Sequence, residues 1–339
     1  MANIFITGGA GFIGCNVAAR YLTNGHDVTI LDNFSRGGSK VNSEWLKTNF
    51  SNIKIINGDV RNKGDVNKAL TGDIDLCFHF AGQVAVTTSV LNPVGDFEIN
   101  SLGTLNVLEA VRKCKKDPIL IYSSTNKVYG GMDSVKIIEK RDRYEYEDLP
   151  NGISESFPMD FHSPYGCSKG SADQNTRDYA RIYGLKTIVF RQSCIYGCHQ
   201  FGIEDQGWIA WFVIQAVLGK QITIFGNGKQ VRDVLFVEDL CDAYEKACDN
   251  IKKTKGQIYN IGGGIKYQIS LLEALDIIKK NMQKEMKISF QAERPGDQTV
   301  YISDISKAKK DFGWEPKTEI AEGIKKLTDW VKENRALFQ

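Results

Sequence analysis

The strongest constraint on the fold is the string TGGAGFIG near the start of the sequence. It follows a short apolar segment, Asn3–Thr7, that predicts a strand, and it opens a segment, Gly11–Leu22, that predicts a helix. Gly8, Gly11 and Gly14 permit a tight turn and a close approach of the backbone to a pyrophosphate, while the helix amino terminus offers N–H donors. Glycines are common in ordinary turns, but this position between strand and helix predicts a dinucleotide-binding site.

Short apolar segments continue to alternate with helical ones after this turn. The further predicted strands are Asp27–Leu31, Ile53–Asn57, Leu76–His79, Ile119–Tyr122 and Thr187–Phe190. Between them, Asn100–Cys114 has helical periodicity. Alternation of helices with short, apolar, β-branched strands predicts an α/β fold built on a doubly wound parallel sheet.

The alternation is interrupted in the middle of the chain and changes after Tyr196. Gly131–His162 is charged and polar without a clear period, which predicts a long loop near the site. Further on, the helical segments Trp208–Leu218 and Ser270–Asn281 and a turn at Phe225–Lys229 predict a smaller α/β lobe towards the carboxyl terminus.

Two segments inside this second part are predicted to rejoin the main sheet, namely Asp239–Asp249 and Gln257–Gly262. We therefore predict that residues 1–195 and 233–262 form the dinucleotide-binding domain. Residues 196–232 and 263–339 are predicted to form the substrate-binding lobe.

Composition narrows the functional classes. The 339-residue chain has a formal net charge of +2, which indicates no nucleic-acid partner. Its eight cysteines form no CxxC pair, and no His or Cys cluster accompanies them, so no metal site is predicted and reduced thiols in a cytoplasmic protein are expected. No apolar run reaches about 18 residues and no basic leader precedes the first strand, so neither a membrane span nor secretion is expected.

Tyr165 and Lys169, in the string SPYGCSK, are the candidate proton-handling pair. Residues i and i+4 share one face of a helix, so the ammonium is expected beside the phenol, where it would lower the tyrosine pKa from about 10 towards neutrality. A phenol tuned in this way exchanges a proton with a sugar hydroxyl at neutral pH. The spacing alone also fits an ordinary amphipathic helix that contains a tyrosine and a lysine by chance.

Acidic residues follow the second and third predicted strands. Asp32, eighteen residues after Gly14, is placed to accept hydrogen bonds from ribose hydroxyls and to repel a 2′-phosphate, which favours NAD over NADP. Arg36 would instead favour NADP, because arginine binds a 2′-phosphate. Asp32 also fits a capping residue in a turn. Asp59 is a candidate partner for the adenine amino group or, equally, a turn residue.

Several motifs in order resemble the extended short-chain dehydrogenase/reductase family of nucleotide-sugar enzymes. They span nearly the whole chain and read TGGAGFIG, FHFAGQ, NSLGTLNVLEA, YSSTNKVYG, YGCSK, RQSCIYG, GNGKQVRDVLFVEDL and RPGD. The resemblance implies a Rossmann-type domain that holds NAD and a smaller carboxyl-terminal lobe that holds a nucleoside-diphospho-sugar.

The resemblance also implies individual roles. Thr125 would hydrogen-bond the reacting sugar oxygen, Tyr165 would be the acid and base, and Lys169 would hold the nicotinamide ribose. Arg232 and Arg294 would clamp the diphosphate, although each also fits a surface ion pair. The implied cofactor contacts are Gly8, Gly11, Phe12, Ile13, Gly14, Asp32, Asn33, Ser35, Arg36, Asp59, Val60, Phe80, Ala81, Gly82, Asn100, Ser123, Tyr165 and Lys169. The implied substrate contacts are Gln83, Thr125, Asn126, Lys127, Cys194, Gln206, Arg232 and Arg294.

The reaction is indicated by the two positions after Thr125. A 4,6-dehydratase of this family would carry Asp and Glu there, whereas this chain has Asn126 and Lys127, so the acid–base pair for loss of water is missing. The strings YSSTNKVYG, DFHSPYGCSKGSADQ, GQVAVTTS and DQGWIAWF resemble one subfamily of epimerases that act on carbon 2 of a CDP-sugar. Cys194 and Cys198 replace the family's usual Asn and Pro, which leaves the substrate contacts open.

The resemblance therefore implies an NAD-dependent isomerase that oxidises carbon 2 transiently and returns the hydride to the opposite face. A UDP-sugar 4-epimerase uses the same Thr125, Tyr165 and Lys169 and remains the alternative. A net reductase and a non-catalytic NAD sensor are further alternatives. The family resemblance also implies a homodimer or homotetramer, assembled through helices such as Asn100–Cys114 and Ser171–Tyr183.

Overall fold

The computed structural model describes residues 1–70, 73–293 and 298–339. The strands, in chain order, are β1 Asn3–Thr7, β2 Asp27–Asp32, β3 Ile53–Asn57, β4 Leu76–His79, β5 Ile119–Thr125, β6 Ile137–Glu139, β7 Tyr144–Tyr146, β8 Lys186–Gln192, β9 Cys194–Tyr196, β10 Ile222–Phe225, β11 Val231–Phe236, β12 Gln257–Ile261, β13 Gln268–Ser270, β14 Ile288–Gln291 and β15 Val300–Tyr301.

The helices, in chain order, are α1 Phe12–Thr23, α2 Ser39–Asn49, α3 Lys63–Ala69, α4 Val86–Leu91, α5 Pro93–Phe97, α6 Gly103–Val111, α7 Ser163–Tyr183, α8 Trp208–Leu218, α9 Val237–Asp249, α10 Ile251–Thr254, α11 Leu271–Met282, α12 Ser306–Phe312 and α13 Ile320–Glu333. A π-helical segment, Glu98–Leu102, joins α5 to α6. Short 3₁₀ turns occur at Asn126–Tyr129, Ile265–Tyr267 and Arg335–Phe338.

Within the described residues, seven parallel strands form the main sheet in the order β12-β8-β5-β4-β1-β2-β3. Both faces are covered by helices, and the strands accordingly carry buried apolar side chains such as Ile4, Ile6 and Phe78. The chain order reverses between β1 and β4, the place where doubly wound sheets bind ligands. The predicted Rossmann-type α/β fold is confirmed.

The smaller part of the molecule builds its own apolar core. Helices α8, α11 and α13 pack together with β10 and β11, and Phe212, Ile224 and Leu327 are buried there. The predicted return to the main sheet is present, because β12 pairs with β8. Phe312 and Trp314, later in the chain, also pack in the core of the main sheet. The residue ranges of the two lobes remain a prediction.

The prediction for Gly131–His162 is wrong in its location. None of its described residues lines the cavity at the carboxyl edge of the sheet. Instead, β6 and β7 form a hairpin that docks on the smaller part: Tyr144 N–H donates to the Lys229 carbonyl at 2.9 Å, and Arg143 pairs with Glu273 at 2.6 Å. The sequence of this segment shows no hydrophobic periodicity because it forms only short strands and turns, which these contacts hold in place.

The predicted helix Asn100–Cys114 also differs from the structure. It begins within the π-helical segment, and the α-helix that follows ends at Val111. The wider π turn carries the Asn100 side chain to the backbone of Gln83, with Asn100 Nδ2 donating to the Gln83 carbonyl at 3.1 Å. Such π segments are frequent beside functional sites.

Candidate active site

A cavity of about 1230 Å³ lies at the carboxyl edge of the main sheet. The ends of β1, β2, β4, β5 and β8 contribute to one side, and the opposite side comes from α8, β10 and the loop 197–207. Because parallel strands present their carboxyl ends on the same edge, residues far apart in sequence meet here. The cavity is large enough for two extended ligands placed end to end.

The glycine turn after β1 forms a tight cradle at the floor of this cavity. Gly8 has a φ of +67°, and a Cβ atom there would lie 2.6 Å from the backbone nitrogen of Ala81. A Cβ atom at Gly14 would collide with the carbonyl oxygen of Gly8. Both positions therefore require glycine, and they leave the amino terminus of α1 open to a pyrophosphate.

Asp32 ends β2 beside this cradle. Its carboxylate accepts hydrogen bonds from the backbone N–H groups of Ala10, at 3.0 Å, and Phe34, at 2.8 Å. Burial raises the pKa of Asp32, and these hydrogen bonds oppose the rise. Asp32 lines the cavity, so its carboxylate fits a ribose bound next to a pyrophosphate on the glycine turn.

Asp59 lies on the same side of the cavity and is held by its neighbours. Arg61 donates to both carboxylate oxygens, at 3.0 and 2.8 Å, and Asn33 Nδ2 donates at 2.9 Å. The hydrogen bond from Arg61 is the main cause that lowers the pKa of Asp59 to about 2. The carboxylate is thus a fixed hydrogen-bond acceptor at the wall of the cavity.

Tyr165 and Lys169 lie in the first two turns of α7, so the predicted helix is present. Tyr165 is 7 % exposed and lines the cavity, as does Thr125 at the end of β5. Lys169 is 6 % exposed; its Nζ donates to the Ser123 carbonyl at 2.5 Å and lies 4.4 Å from the centre of the Tyr122 ring. The three predicted catalytic residues therefore line the same cavity.

The predicted lowering of the tyrosine pKa by the lysine is wrong for the protein without bound ligands. Burial raises the pKa of Tyr165 to about 12, and the hydrogen bond from Thr125 opposes this rise. Burial lowers the pKa of Lys169 to about 7, while Asp173 and Asp96 act in the opposite direction. Loss of solvation dominates both groups, because the helix turns them into a closed pocket rather than onto an open surface.

The other predicted contacts lie around the same cavity, with two exceptions. Those that line it are Gly8, Gly11, Phe12, Ile13, Gly14, Asp32, Asn33, Ser35, Arg36, Asp59, Val60, Phe80, Ala81, Gly82, Gln83, Ser123, Asn126, Lys127, Cys194, Gln206 and Arg232. Asn100 lies behind the wall, where its Oδ1 accepts from the Gln83 backbone N–H at 2.9 Å. Arg294 lies outside the described residues. The ligand contacts of all these residues remain predictions.

Gln83 lines the cavity, but its side-chain amide is already engaged. Its Nε2 donates to the Ala85 carbonyl at 2.7 Å and to Asp96 Oδ1 at 2.9 Å, and its Oε1 accepts from the Ala85 N–H. Both amide hydrogens are therefore used within the protein. Gln83 therefore shapes the loop after β4, and its predicted contact with the substrate stays a prediction.

The two positions after Thr125 carry no carboxylate. Asn126 Nδ2 donates to Gln298 Oε1 at 3.1 Å, and Lys127 lines the cavity. Cys194 lies close by, and burial raises the pKa of its thiol. The carboxylate pair that a 4,6-dehydratase of this family would use as acid and base is therefore absent from these two positions.

Several residues of the site are not among the predicted ones. The loop after β9 crosses the cavity, where Asn42 Nδ2 donates to the His199 carbonyl at 3.2 Å. Asp96 is 1 % exposed and bonds three polar groups behind Tyr165 and Lys169. The sequence did carry a signal for Asp96, because it lies four residues before Asn100 on the same helical face. Nothing in the sequence indicated the contact between Asn42 and the loop after β9.

Residues 1–70, 73–293 and 298–339 contain neither a membrane-spanning helix nor a cluster of metal-binding side chains. Over these ranges, no helix combines the length and apolarity that crossing a membrane requires. The same residues include no group of three or more His, Cys, Asp or Glu side chains arranged to hold a metal ion.

The glycine cradle, the acidic end of β2 and the Thr–Tyr–Lys set at the carboxyl edge define the class of the protein. It is a dinucleotide-dependent α/β enzyme of the extended short-chain dehydrogenase/reductase type. A family profile described as GDP-mannose 4,6 dehydratase matches residues 5–327. The chain belongs to this family of NAD-dependent sugar-nucleotide epimerases and dehydratases.

Similarity to individual proteins extends over the whole chain. The chain is 48% identical to a CDP-paratose 2-epimerase of Salmonella typhi, over 97% of this chain and 98% of the relative. It is 34% identical to a putative UDP-glucose 4-epimerase of Methanocaldococcus jannaschii, over 98% and 99% of the two chains. A solved UDP-glucuronic acid 4-epimerase of Bacillus cereus, in complex with UDP-glucuronic acid and NAD, superposes with a TM-score of 0.83 at 28% identity, over 98% and 99%.

Proposed function

We propose that this protein epimerises a nucleoside-diphospho-sugar at carbon 2, converting CDP-paratose to CDP-tyvelose with a tightly bound NAD. The observation that carries the proposal is the cavity wall at the end of β5. Thr125 and Tyr165 both line the cavity there, and the two positions after Thr125 lack the carboxylates of a dehydratase. The 48% identity to a CDP-paratose 2-epimerase supports the choice of sugar and nucleotide.

In the proposed reaction Tyr165 takes the proton from the hydroxyl on carbon 2, and Thr125 hydrogen-bonds the same oxygen. NAD, when bound, would supply both the acceptor and the donor of the hydride, so no other oxidant or reductant is needed. Lys169 would hold the nicotinamide ribose next to the reacting centre. The keto sugar presents its opposite face before Tyr165 returns the proton, so no net oxidation occurs.

The cofactor and nucleotide positions follow from the two sides of the cavity. The glycine turn, Asp32 and Asp59 would hold the dinucleotide on the sheet side. Arg232 lines the opposite side and, with Arg294, would bind the diphosphate of the sugar nucleotide. Accordingly, we assign residues 1–195 and 233–262 to NAD and residues 196–232 and 263–339 to the sugar nucleotide.

We also propose that the protein assembles as a homodimer or homotetramer in the cytoplasm. Helices α4 to α7 expose large apolar side chains, among them Leu91 at 86 % and Phe97 at 55 %. An apolar surface of this kind is typical of an interface between subunits. The eight free cysteines favour a reducing compartment.

The test is a panel of CDP-, UDP- and GDP-sugars given to the purified protein without added cofactor, with products identified by NMR. We expect CDP-paratose to be converted to CDP-tyvelose, and the carbon 2 hydrogen to be retained in heavy water. Incorporation of deuterium at carbon 2 would contradict hydride return. Conversion of UDP-glucose but not CDP-paratose would replace the proposal with a 4-epimerase, which the 34% identical relative also supports.

A further inference from the structure

Behind Tyr165 and Lys169 lies a buried carboxylate that none of the roles above includes. Asp96, in α5, is 1 % exposed. Its Oδ1 accepts hydrogen bonds from Gln83 Nε2 at 2.9 Å and Asn100 Nδ2 at 3.2 Å, and its Oδ2 accepts from the Ser168 hydroxyl at 2.5 Å. One carboxylate thus joins the loop after β4, the π-helical segment and α7.

These partners are the supports of the active site. Gln83 follows Ala81 and Gly82, which line the cavity next to Lys169, and a Cβ atom at Gly82 would lie 3.0 Å from Asn100 Oδ1 and 3.9 Å from Lys169 Nζ. Ser168 lies between the catalytic residues in α7, and its hydroxyl also reaches the Tyr165 carbonyl at 3.2 Å. Movement of this carboxylate would therefore displace the loop after β4 and the start of α7 together.

We propose that Asp96 is a positioning residue for the proposed epimerisation, holding Gln83, Asn100 and Ser168 so that the loop after β4 and the start of α7 meet at the reacting centre. The inference rests on the proposed function for its substrate. Its geometry, however, depends only on contacts within this chain.

The charge of Asp96 gives this role a signature that a purely structural residue lacks. Asp96 raises the pKa of Tyr165 and that of Lys169, because a nearby negative charge disfavours the phenolate and favours the ammonium. The other groups that face this pair are Thr125 and Tyr122 on β5, His79 on β4 and Asp173 further along α7. Removal of the Asp96 charge should therefore lower both pKa values.

The test compares Asp96→Asn, Asp96→Glu and Ser168→Ala in the NAD-loaded enzyme. Asp96→Asn should lower kcat on the order of tenfold and move both limbs of the pH–rate profile to lower pH. Asp96→Glu keeps the charge but displaces it, so kcat should fall while the limbs stay in place. Ser168→Ala removes the hydrogen bonds of the Ser168 hydroxyl and leaves the Asp96 charge, so the limbs of its pH–rate profile should also stay in place.

A kcat of Asp96→Asn within about twofold of wild type, with an unmoved profile, would overturn the proposal. If that variant does not fold, Asp96→Glu decides, and an undiminished kcat would overturn it. If the wild-type protein converts no nucleotide sugar, the proposed function fails. In that case the role of Asp96 is tested by the ultraviolet titration of Tyr165 in wild type and in Asp96→Asn. The Tyr165 signal is obtained by subtracting the spectrum of the same protein carrying Tyr165→Phe. The pKa of Tyr165 must be lower in Asp96→Asn than in wild type, and an equal or higher value would overturn the proposal.

Discussion

At the scale of single residues, the state of Tyr165 depends on its surroundings more than on its spacing from Lys169. The phenol is buried at the wall of the cavity, and Thr125 there opposes the rise that burial causes in its pKa. The ammonium is directed to the Ser123 carbonyl and the Tyr122 ring. The hydroxyl of Thr125 is therefore the contact within the protein that favours the phenolate.

Replacement of Tyr165 by Phe tests its role directly. We expect kcat to fall by roughly 10²- to 10⁴-fold, because the proton on the sugar hydroxyl loses its acceptor. NAD content should be unchanged, since the ring and the glycine turn remain. Turnover by NMR and NAD released on denaturation measure the two effects. Tyr179→Phe, on the same helix but bonded to Glu109 at 2.9 Å, is the control and should retain wild-type turnover.

His79 makes stability depend on acid pH. It is buried between the Thr7 and Thr104 hydroxyls, at 2.6 and 2.9 Å, and burial lowers its pKa to about 3. At pH values between the pKa of folded His79 and its unfolded pKa of about 6.5, the imidazole is protonated only in the unfolded chain. The stability that neutral His79 provides is thus fully present above about pH 6.5 and is lost as pH falls.

The variant His79→Gln cannot titrate in this range. We expect its deficit in the free energy of unfolding, relative to wild type, to shrink by about 1.4 kcal/mol between about pH 7.5 and about pH 5.5. Urea unfolding of both proteins at the two pH values measures this. A constant or growing deficit would show that His79 is already protonated in the folded protein.

At the scale of secondary-structure elements, β5, α7 and β8 are tied together by a buried ion pair. Arg191 on β8 is 2 % exposed and donates to both oxygens of Asp173 on α7, at 2.9 and 3.0 Å. Ser124 on β5 donates to the same carboxylate at 2.7 Å. Since Ser124 precedes Thr125, this network fixes the strand end that carries the catalytic hydroxyl.

Loss of Arg191 should be costly, because the Asp173 carboxylate would stay buried without its ion-pair partner. We expect Arg191→Met to lower the free energy of unfolding by about 3 to 5 kcal/mol. Arg112→Met breaks a surface pair with Glu109 and should lower it far less than Arg191→Met does. Urea denaturation of both variants gives the comparison. Equal losses would show that the buried pair provides no special support.

At the scale of the whole molecule, the two parts of the structure are joined across the cavity. Besides the hydrogen bond from Arg36 to Gln206, the Phe201 ring packs against Gly38, where any side chain would collide with it. Asn16 Nδ2 donates to the Cys198 carbonyl at 3.0 Å. The loop after β9 thus bridges the sheet side and the lobe side and helps to enclose a bound dinucleotide.

The exposed apolar side chains of α4 to α7 lead to a prediction about assembly. We expect Leu91→Asp and Phe97→Asp, which place charge in the proposed interface, to convert the oligomer to monomers in sedimentation velocity. Phe290→Asp, at a residue equally exposed on β14, should leave the assembly intact. A wild-type monomer, or an oligomer that survives both changes, would contradict an interface on these helices.

The sequence by itself determined the sheet, the glycine turn and the positions of Thr125, Tyr165 and Lys169, because these depend on local periodicity and on motifs of short spacing. Only the tertiary structure decided the pKa directions of Tyr165 and Lys169, since burial arises from elements distant in sequence. It also decided that Gly131–His162 lies away from the cavity and that Gln83 bonds to Asp96. Both depend on contacts that no local spacing encodes.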